Sequence, residues 1–226
     1  MQVIKTFPTP CFMPNGLQWT DQGLFVIDQH TDNIDLLDQD GEVIRTIYTH
    51  NENGSGITIG DGYLWTASNG RTKSRPYRSW DTHLGYVYKL DFETGCVVER
   101  FRTPDGDGIH GLEWDDGFLW ITAFSPKALI LVDPKDFRVI KHFPVELERL
   151  HGLARDGNGI WCAHTGDRLI VKYSVETGEE IDRIAMPSDG PRPHGVSIKD
   201  GELWYSDANF PDVDKQPAPE IGKIVR

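Results

Sequence analysis

The chain has 226 residues, of which 38% are hydrophobic and 11% aromatic, so it can bury a core of ordinary size. Its formal net charge of −12 argues against binding to nucleic acid or to an anionic membrane surface, because both would repel it. No apolar run reaches membrane-spanning length and the first residues do not form a signal peptide, so we expect a cytoplasmic protein. The three cysteines lack Cys-x-x-Cys spacing and are expected to be reduced thiols.

The chain contains five copies of one four-stranded pattern. In the third copy, a strand that starts at His110-Gly111 is followed by strands over 118–121, 129–132 and 138–143. An Asp-Gly turn separates the first two strands, which is a strong hairpin signal because glycine adopts positive φ freely. Four antiparallel strands in about forty residues are typical of one blade of a β-propeller. The other copies start at Asn15, Ser55, His151 and His194.

The two ends of the chain complement each other. The fifth copy stops after a third strand, while residues 3–7 (Val-Ile-Lys-Thr-Phe) repeat the pattern of an outer strand. If residues 2–7 pair with residues 221–226, no sheet edge is left open and the ring closes. The sequence therefore predicts an all-β fold, a five-bladed β-propeller in a single domain, with the N-terminal strand completing the last blade. The predicted blades span residues 14–48, 54–102, 108–143, 149–185, and 192–226 plus 2–7.

A large residue recurs in the middle of the second strand of each copy. We interpret these side chains as packing between blades rather than stacking on a cofactor or a sugar, because interior aromatics usually fill volume. They are Trp65, Trp120, Trp161 and Trp204, with Val26 in the first blade.

The first residue of each innermost strand should face the mouth of the central channel. The five blades carry Asn15, Ser55, His110, His151 and His194 there, each followed by a glycine that lets the backbone approach the axis. Packing does not require imidazole in three consecutive blades, so we expect the histidines to converge on a functional site. Imidazole is a common metal ligand and an acid or base near neutral pH, so His110, His151 and His194 are predicted to bind a divalent metal. Zinc, manganese or iron is favoured over magnesium, and Asn15 and Ser55 are predicted to bind substrate.

A second ring of residues ends the second strands. An antiparallel partner ends where the first strand begins, so these residues should lie near the same mouth. We predict that His164 and Asp207 take part in catalysis, with turn formation as the alternative for both. The full ring is Gln29, Ser68, Ala123, His164 and Asp207.

An insertion over residues 70–82 is basic and aromatic in an otherwise acidic chain. It is either a lid over the channel that meets an anionic substrate group or a solvated loop, and the sequence leaves both open. As a lid, Arg71 would hold a substrate carboxylate during catalysis, and Arg75, Arg78 and Trp80 would bind substrate. A second insertion, residues 209–220, is expected to form the opposite wall.

The last copy resembles a known repeat. The run from Arg192 to Asp207 (Arg-Pro-His-Gly-Val-Ser-Ile-Lys-Asp-Gly-Glu-Leu-Trp-Tyr-Ser-Asp), with Ile-Gly-Lys-Ile at 221–224, is similar to the repeat of the virginiamycin B (streptogramin) lyases. It also resembles NHL-type and gluconolactonase-like propellers. This resemblance implies a channel metal that assists lactone opening by elimination, with the three histidines as ligands or base. Five blades and the runs Val-Glu-Leu-Glu (145–148) and Asp-Pro-Lys-Asp-Phe (133–137) more weakly resemble glutaminyl cyclase-like propellers.

Three functions are compatible with these patterns. The first is a metal-dependent lyase or hydrolase that acts on a small oxygen-rich or anionic molecule in the channel. The second is a non-catalytic, lectin-like or peptide-binding propeller. The third is a metal-free enzyme that uses histidine as acid and base. All three take a small molecule or peptide rather than nucleic acid or membrane as partner, and the oligomeric state is left open.

Overall fold

The computed structural model describes residues 2–106, 108–208 and 219–225. Within these residues, twenty strands form five four-stranded antiparallel sheets. No helix in this described part of the chain is long and apolar enough to cross a membrane. The architecture confirms the predicted five-bladed β-propeller.

Each sheet is one blade of the propeller. Strands are numbered in chain order, and the strands of each blade are given from the inner strand outward. Blade 1 contains β2 (Pro14–Thr20), β3 (Gly23–Asp28), β4 (Ile34–Leu37) and β5 (Val43–Ile47). Blade 2 contains β6 (Gly54–Gly60), β7 (Tyr63–Ser68), β8 (Tyr86–Asp91) and β9 (Val97–Arg102). Blade 3 contains β10 (Leu112–Asp115), β11 (Phe118–Phe124), β12 (Lys127–Val132) and β13 (Val139–Pro144). Blade 4 contains β14 (Leu150–Asp156), β15 (Gly159–His164), β16 (Leu169–Ser174) and β17 (Glu180–Ala185). Blade 5 contains β18 (Pro193–Lys199), β19 (Glu202–Asp207), β20 (Glu220–Val225) and β1 (Gln2–Pro8).

The N-terminal strand closes the ring as predicted. β1 pairs antiparallel with β20, from Gln2 opposite Val225 to Pro8 opposite Glu220. The last sheet thus contains both ends of the described chain, in the order β1-β20-β19-β18. Of the second predicted insertion, residues 209–218 lie outside the described residues.

Five hydrophobic cores lie between neighbouring blades, and each contains the large aromatic residue of one second strand. This confirms the packing interpretation of the tryptophans. In blade 1, however, the equivalent residue is Phe25 and not Val26. Phe25 pairs with Gln18 as Trp204 pairs with Ser197, and it faces blade 2, whereas Val26 packs against blade 5. The prediction for blade 1 was therefore wrong by one residue, which moves a strand side chain to the other face of the sheet.

A ring of five glycines, four in inner strands and Gly111 directly before β10, lets the blades approach closely at the axis. A Cβ on Gly56 would lie 2.6 Å from the carbonyl oxygen of His110, and a Cβ on any of the other four would also overlap the next blade's inner strand. Only glycine permits this approach, as the sequence predicted. The ring consists of Gly16, Gly56, Gly111, Gly152 and Gly195.

Candidate functional site

A pocket of about 400 Å³ opens at the end of the axis where the inner strands begin. It combines buried polar side chains at the channel with charged side chains from the surrounding loops. Its lining residues are Asn15, Gln29, Asn69, Arg71, Thr72, His110, Phe124, Lys127, Glu148, Arg149, His151 and His194.

Three histidines form a contact cluster in this pocket, as their positions in the repeats predicted. The ring centroids of His110 and His151 are 4.2 Å apart, and those of His151 and His194 are 4.8 Å apart. Phe124 stacks on His110 at 4.7 Å. His151 therefore lies in the middle of the cluster, in contact with both other imidazoles. In blade 3 the inner strand begins at Leu112, so His110 precedes it rather than starting it.

Backbone carbonyls orient two of the three rings. His151 Nδ1 lies 2.7 Å from the carbonyl oxygen of Arg149, two residues before it. His194 Nδ1 lies 3.0 Å from the oxygen of Arg192, again two residues before it, and 3.4 Å from the amide nitrogen of Ala208. An Nδ1–H that donates to a carbonyl leaves the lone pair on Nε2, which makes Nε2 the reactive nitrogen of His151. His110 differs, because its buried Nδ1 has no hydrogen-bond partner among the residues that the structure describes.

Burial keeps the cluster neutral. Desolvation, together with the neighbouring His194 and Arg149, lowers the pKa of His110 to about 3. Desolvation also lowers the pKa of His194 to about 4, although Asp207 opposes the shift. The pKa of His151 is well below its ordinary value, because of burial and of the imidazoles on either side. At neutral pH the three rings are therefore uncharged.

Three imidazoles are a suitable ligand set for a divalent metal. Here the rings pack against one another, and no group of three or more histidine, cysteine, aspartate or glutamate side chains among the described residues is arranged to hold a metal. The metal assignment stays a prediction.

The insertion of blade 2 forms a fixed wall of the pocket. Arg75 is buried and donates to Asp81 at 2.7 and 2.9 Å and to Asp32 at 2.8 Å. Arg78 also binds Asp32 at 2.8 Å. These two arginines anchor the insertion to blade 1, and Arg75 is not accessible to a substrate. Trp80 packs beside Arg78 in an outer groove away from the axial pocket.

Other predicted site residues have structural contacts. The Ser55 hydroxyl donates to the Ile109 carbonyl at 2.5 Å, which links blades 2 and 3. Asn15 lines the pocket, and its amide donates to Gln29 Oε1 at 3.0 Å. Arg71 lines the pocket as well. Of the residues predicted outside the histidine cluster, the structure thus brings Asn15 and Arg71 to it.

The second ring braces the loops that enter the inner strands. Asp207 accepts a hydrogen bond from the backbone N–H of Arg192 at 3.1 Å. His164 is fully buried, and its Nε2 contacts the Tyr173 hydroxyl at 3.0 Å, away from the pocket. Burial lowers the pKa of His164 to about 4. Asp28, not Gln29, occupies the equivalent position in blade 1, because it pairs with Pro14 as Asp207 pairs with Pro193.

Arg149, Lys127 and Phe124 all line the pocket. The sequence places Arg149 at this face, because it directly precedes the inner strand of blade 4, and an Arg-x-His-Gly pattern occurs in both blade 4 and blade 5. Lys127 and Phe124 flank the β11–β12 turn, and no sequence pattern places that turn over the histidines.

Comparisons with known proteins agree on the fold. No protein-family model and no curated protein matches the sequence. The structure is similar to that of Myxococcus xanthus glutaminyl cyclase, with a TM-score of 0.68 and 14% identity over 99% of this chain and 95% of that one. For virginiamycin B lyase from Staphylococcus aureus the TM-score is 0.56, with 16% identity over 97% of this chain and 68% of that one. A streptogramin B lyase gives 0.54, with 14% identity over 91% and 80%.

These three structural neighbours are enzymes by name, and they belong to the two groups that the sequence resembles. Identities of 14–16% show a shared fold alone. Both resemblances are confirmed at that level.

Proposed function

We propose that the protein is an enzyme that moves a proton on a small molecule bound in the axial pocket, as a lyase or a hydrolase. The observation that carries the proposal is the cluster of three buried, uncharged imidazoles that line one pocket. Imidazole is the side chain best suited to accept and return a proton near neutral pH. The enzyme names of the structural neighbours support a catalytic role.

His151 is the proton acceptor in this proposal. Its Nδ1–H is held by the Arg149 carbonyl, so Nε2 has the free lone pair. In an elimination, Nε2 would take the proton from carbon as the adjacent carbon–oxygen bond breaks, and the imidazolium would return that proton to the departing oxygen. The proton count balances within one histidine. His110 and His194 orient and desolvate the ring.

One observation favours a second candidate, a non-catalytic binding propeller. With pKa values of about 3 and about 4, His110 and His194 are weak bases until a ligand changes their surroundings. Neutral imidazoles can also serve as hydrogen-bonding groups for a ligand that leaves unchanged.

Measuring turnover in wild type and in a His151→Gln variant distinguishes the enzyme from the non-catalytic binding propeller. Metal-depleted protein is incubated with a panel of small lactones and hydroxy-acid esters, and products are detected by mass spectrometry. We expect wild-type turnover and a loss of about 10²–10⁴-fold in His151→Gln, the usual contribution of a general base. His142→Gln, an exposed histidine on β13, is the matched control. Equal rates in wild type and His151→Gln would contradict the proposal, and binding of panel compounds without turnover would favour the binding module.

A further inference from the structure

The axial pocket is basic in an acidic protein. Three basic side chains and one acidic side chain line it, whereas the chain as a whole carries a net charge of −12. Lys127 is bound to the single acid, Glu148, at 2.7 Å. Arg71 and Arg149 form no side-chain hydrogen bond or ion pair with any residue in the described ranges. The guanidinium groups of Arg71 and Arg149 are therefore available to bind a ligand.

Arg149 is close enough to act on the histidines. Its positive charge lowers the pKa values of His110, His151 and His194. Arg149 and the three histidines line the same pocket, so an anion bound to Arg149 would lie beside the imidazoles.

Arg71 is held over the pocket by the anchored insertion. Asn53 donates to the carbonyl oxygen of Gly70 at 2.7 Å, which fixes the residue directly before Arg71. At the far end, the buried Glu52 carboxylate accepts hydrogen bonds from the amide and hydroxyl of Thr82 at 2.6 and 2.9 Å. With Arg75 also buried, the backbone beneath Arg71 is tied at both ends and in the middle. Such fixed positioning lowers the entropy cost of binding an anion.

The buried lining of the pocket holds unpaired polar atoms. Asn15 and Gln29 are each 1% exposed, and their side-chain amides bind each other. Within the described part of the chain, this leaves Asn15 Oδ1 and Gln29 Nε2 without partners. If both amides are flipped, the pair still presents one donor and one acceptor. Unpaired buried groups are costly, and a ligand with matching groups would satisfy them.

We propose that the ligand of this pocket carries a carboxylate that binds between Arg71 and Arg149, and a second polar group that hydrogen-bonds to the Asn15–Gln29 pair. Arginine is suited to this task because its planar fork donates two parallel hydrogen bonds to a carboxylate. This inference names the substrate class for the proposed function, but the binding step does not require proton transfer.

Calorimetric binding of N-acetylglycine tests the inference, because this probe contains a carboxylate and an amide. We expect saturable binding to wild type, at least about tenfold weaker binding to Arg71→Ala or Arg149→Ala, and at least about tenfold weaker binding of the methyl ester. Lys73→Ala removes the same charge from an exposed position of the insertion outside the pocket and should bind like wild type. Arg71→Lys should retain part of the affinity. Inorganic phosphate is added as a competitor. A carboxylate site should keep its bound probe in the presence of phosphate, whereas a general anion site should release it.

Wild-type affinity in Arg71→Ala and Arg149→Ala, equal binding of acid and ester, or no saturable binding of the probe would overturn the inference. Tight binding to a His151→Gln variant that has kept its turnover would instead support the carboxylate site and refute only the proposed catalytic role.

Discussion

Lowering the pH should reduce the free energy of unfolding because the chain buries neutral imidazoles. The contribution of one of them can be measured by replacing His110. Burial holds its pKa at about 3 in the folded chain, against about 6.5 in the unfolded chain. Above about pH 6.5 the His110 imidazole is neutral in both the folded and the unfolded chain, so it adds no pH dependence to the free energy of unfolding. Below it the unfolded chain binds a proton that the folded chain does not, so the free energy of unfolding falls as the pH falls.

The size of the effect follows from these two pKa values. Each pH unit between them costs about 1.36 kcal/mol, so lowering the pH from about 7.5 to about 5 should remove about 2 kcal/mol through His110. Urea unfolding monitored by tryptophan fluorescence at both pH values measures the loss. We expect His110→Gln to lose about 2 kcal/mol less than wild type over this interval.

His142→Gln is the matched control, because His142 is exposed on the outer strand β13 and stays in contact with water when the chain folds. Its pH dependence should parallel that of wild type. The reasoning fails if His110→Gln also parallels wild type, since His110 would then be protonated in the folded state or open to solvent.

Three further predictions concern the cores, the axis and the metal. Trp204→Ala should reduce the free energy of unfolding by about 3–5 kcal/mol, because Trp204 packs against Trp19 at 5.0 Å between blades 5 and 1. Phe118→Ala, at the exposed first residue of β11, should cost about 1 kcal/mol or less. Gly111→Ala should cost about 1–3 kcal/mol by forcing apart blades 3 and 4, while Gly166→Ala, with its nearest neighbour at 3.5 Å, should be tolerated; equal stability of the two variants would contradict the glycine ring. Elemental analysis of the purified protein tests the metal prediction: one divalent metal per chain that is lost on replacing the three histidines would confirm it, whereas a metal-free wild type would contradict it.

The repeat pattern predicted the fold because a propeller repeats both its turns and its strand periodicity. Equivalent positions in successive blades must converge on the axis, so the meeting of His110, His151 and His194 followed from alignment alone. The alignment was weakest in blade 1, which has no tryptophan to mark the register. The error of one residue at Val26 and Gln29 arose there.

The basic insertion could not be interpreted from its composition. Arg71, Arg75 and Arg78 look alike in the sequence, yet two of them are bound to Asp32, a buried residue of the preceding blade. Which arginine faces the pocket depends on that distant carboxylate and on the path of the loop. Likewise, the repeat places His164 at the end of a second strand near the channel mouth, but its side chain contacts Tyr173 within blade 4 and does not line the pocket.

Because β1 pairs with β20, the ring can be closed either by the molecule's own N-terminal strand or by that of a second copy. This pairing joins the most distant segments of the described chain, and such long-range contacts form slowly. Until β1 arrives, β20 is an open template that the same segment of another copy fits equally well. Refolding at low protein concentration should therefore yield monomers. Refolding at high protein concentration should yield domain-swapped dimers, in which each molecule's β1 pairs with β20 of the other.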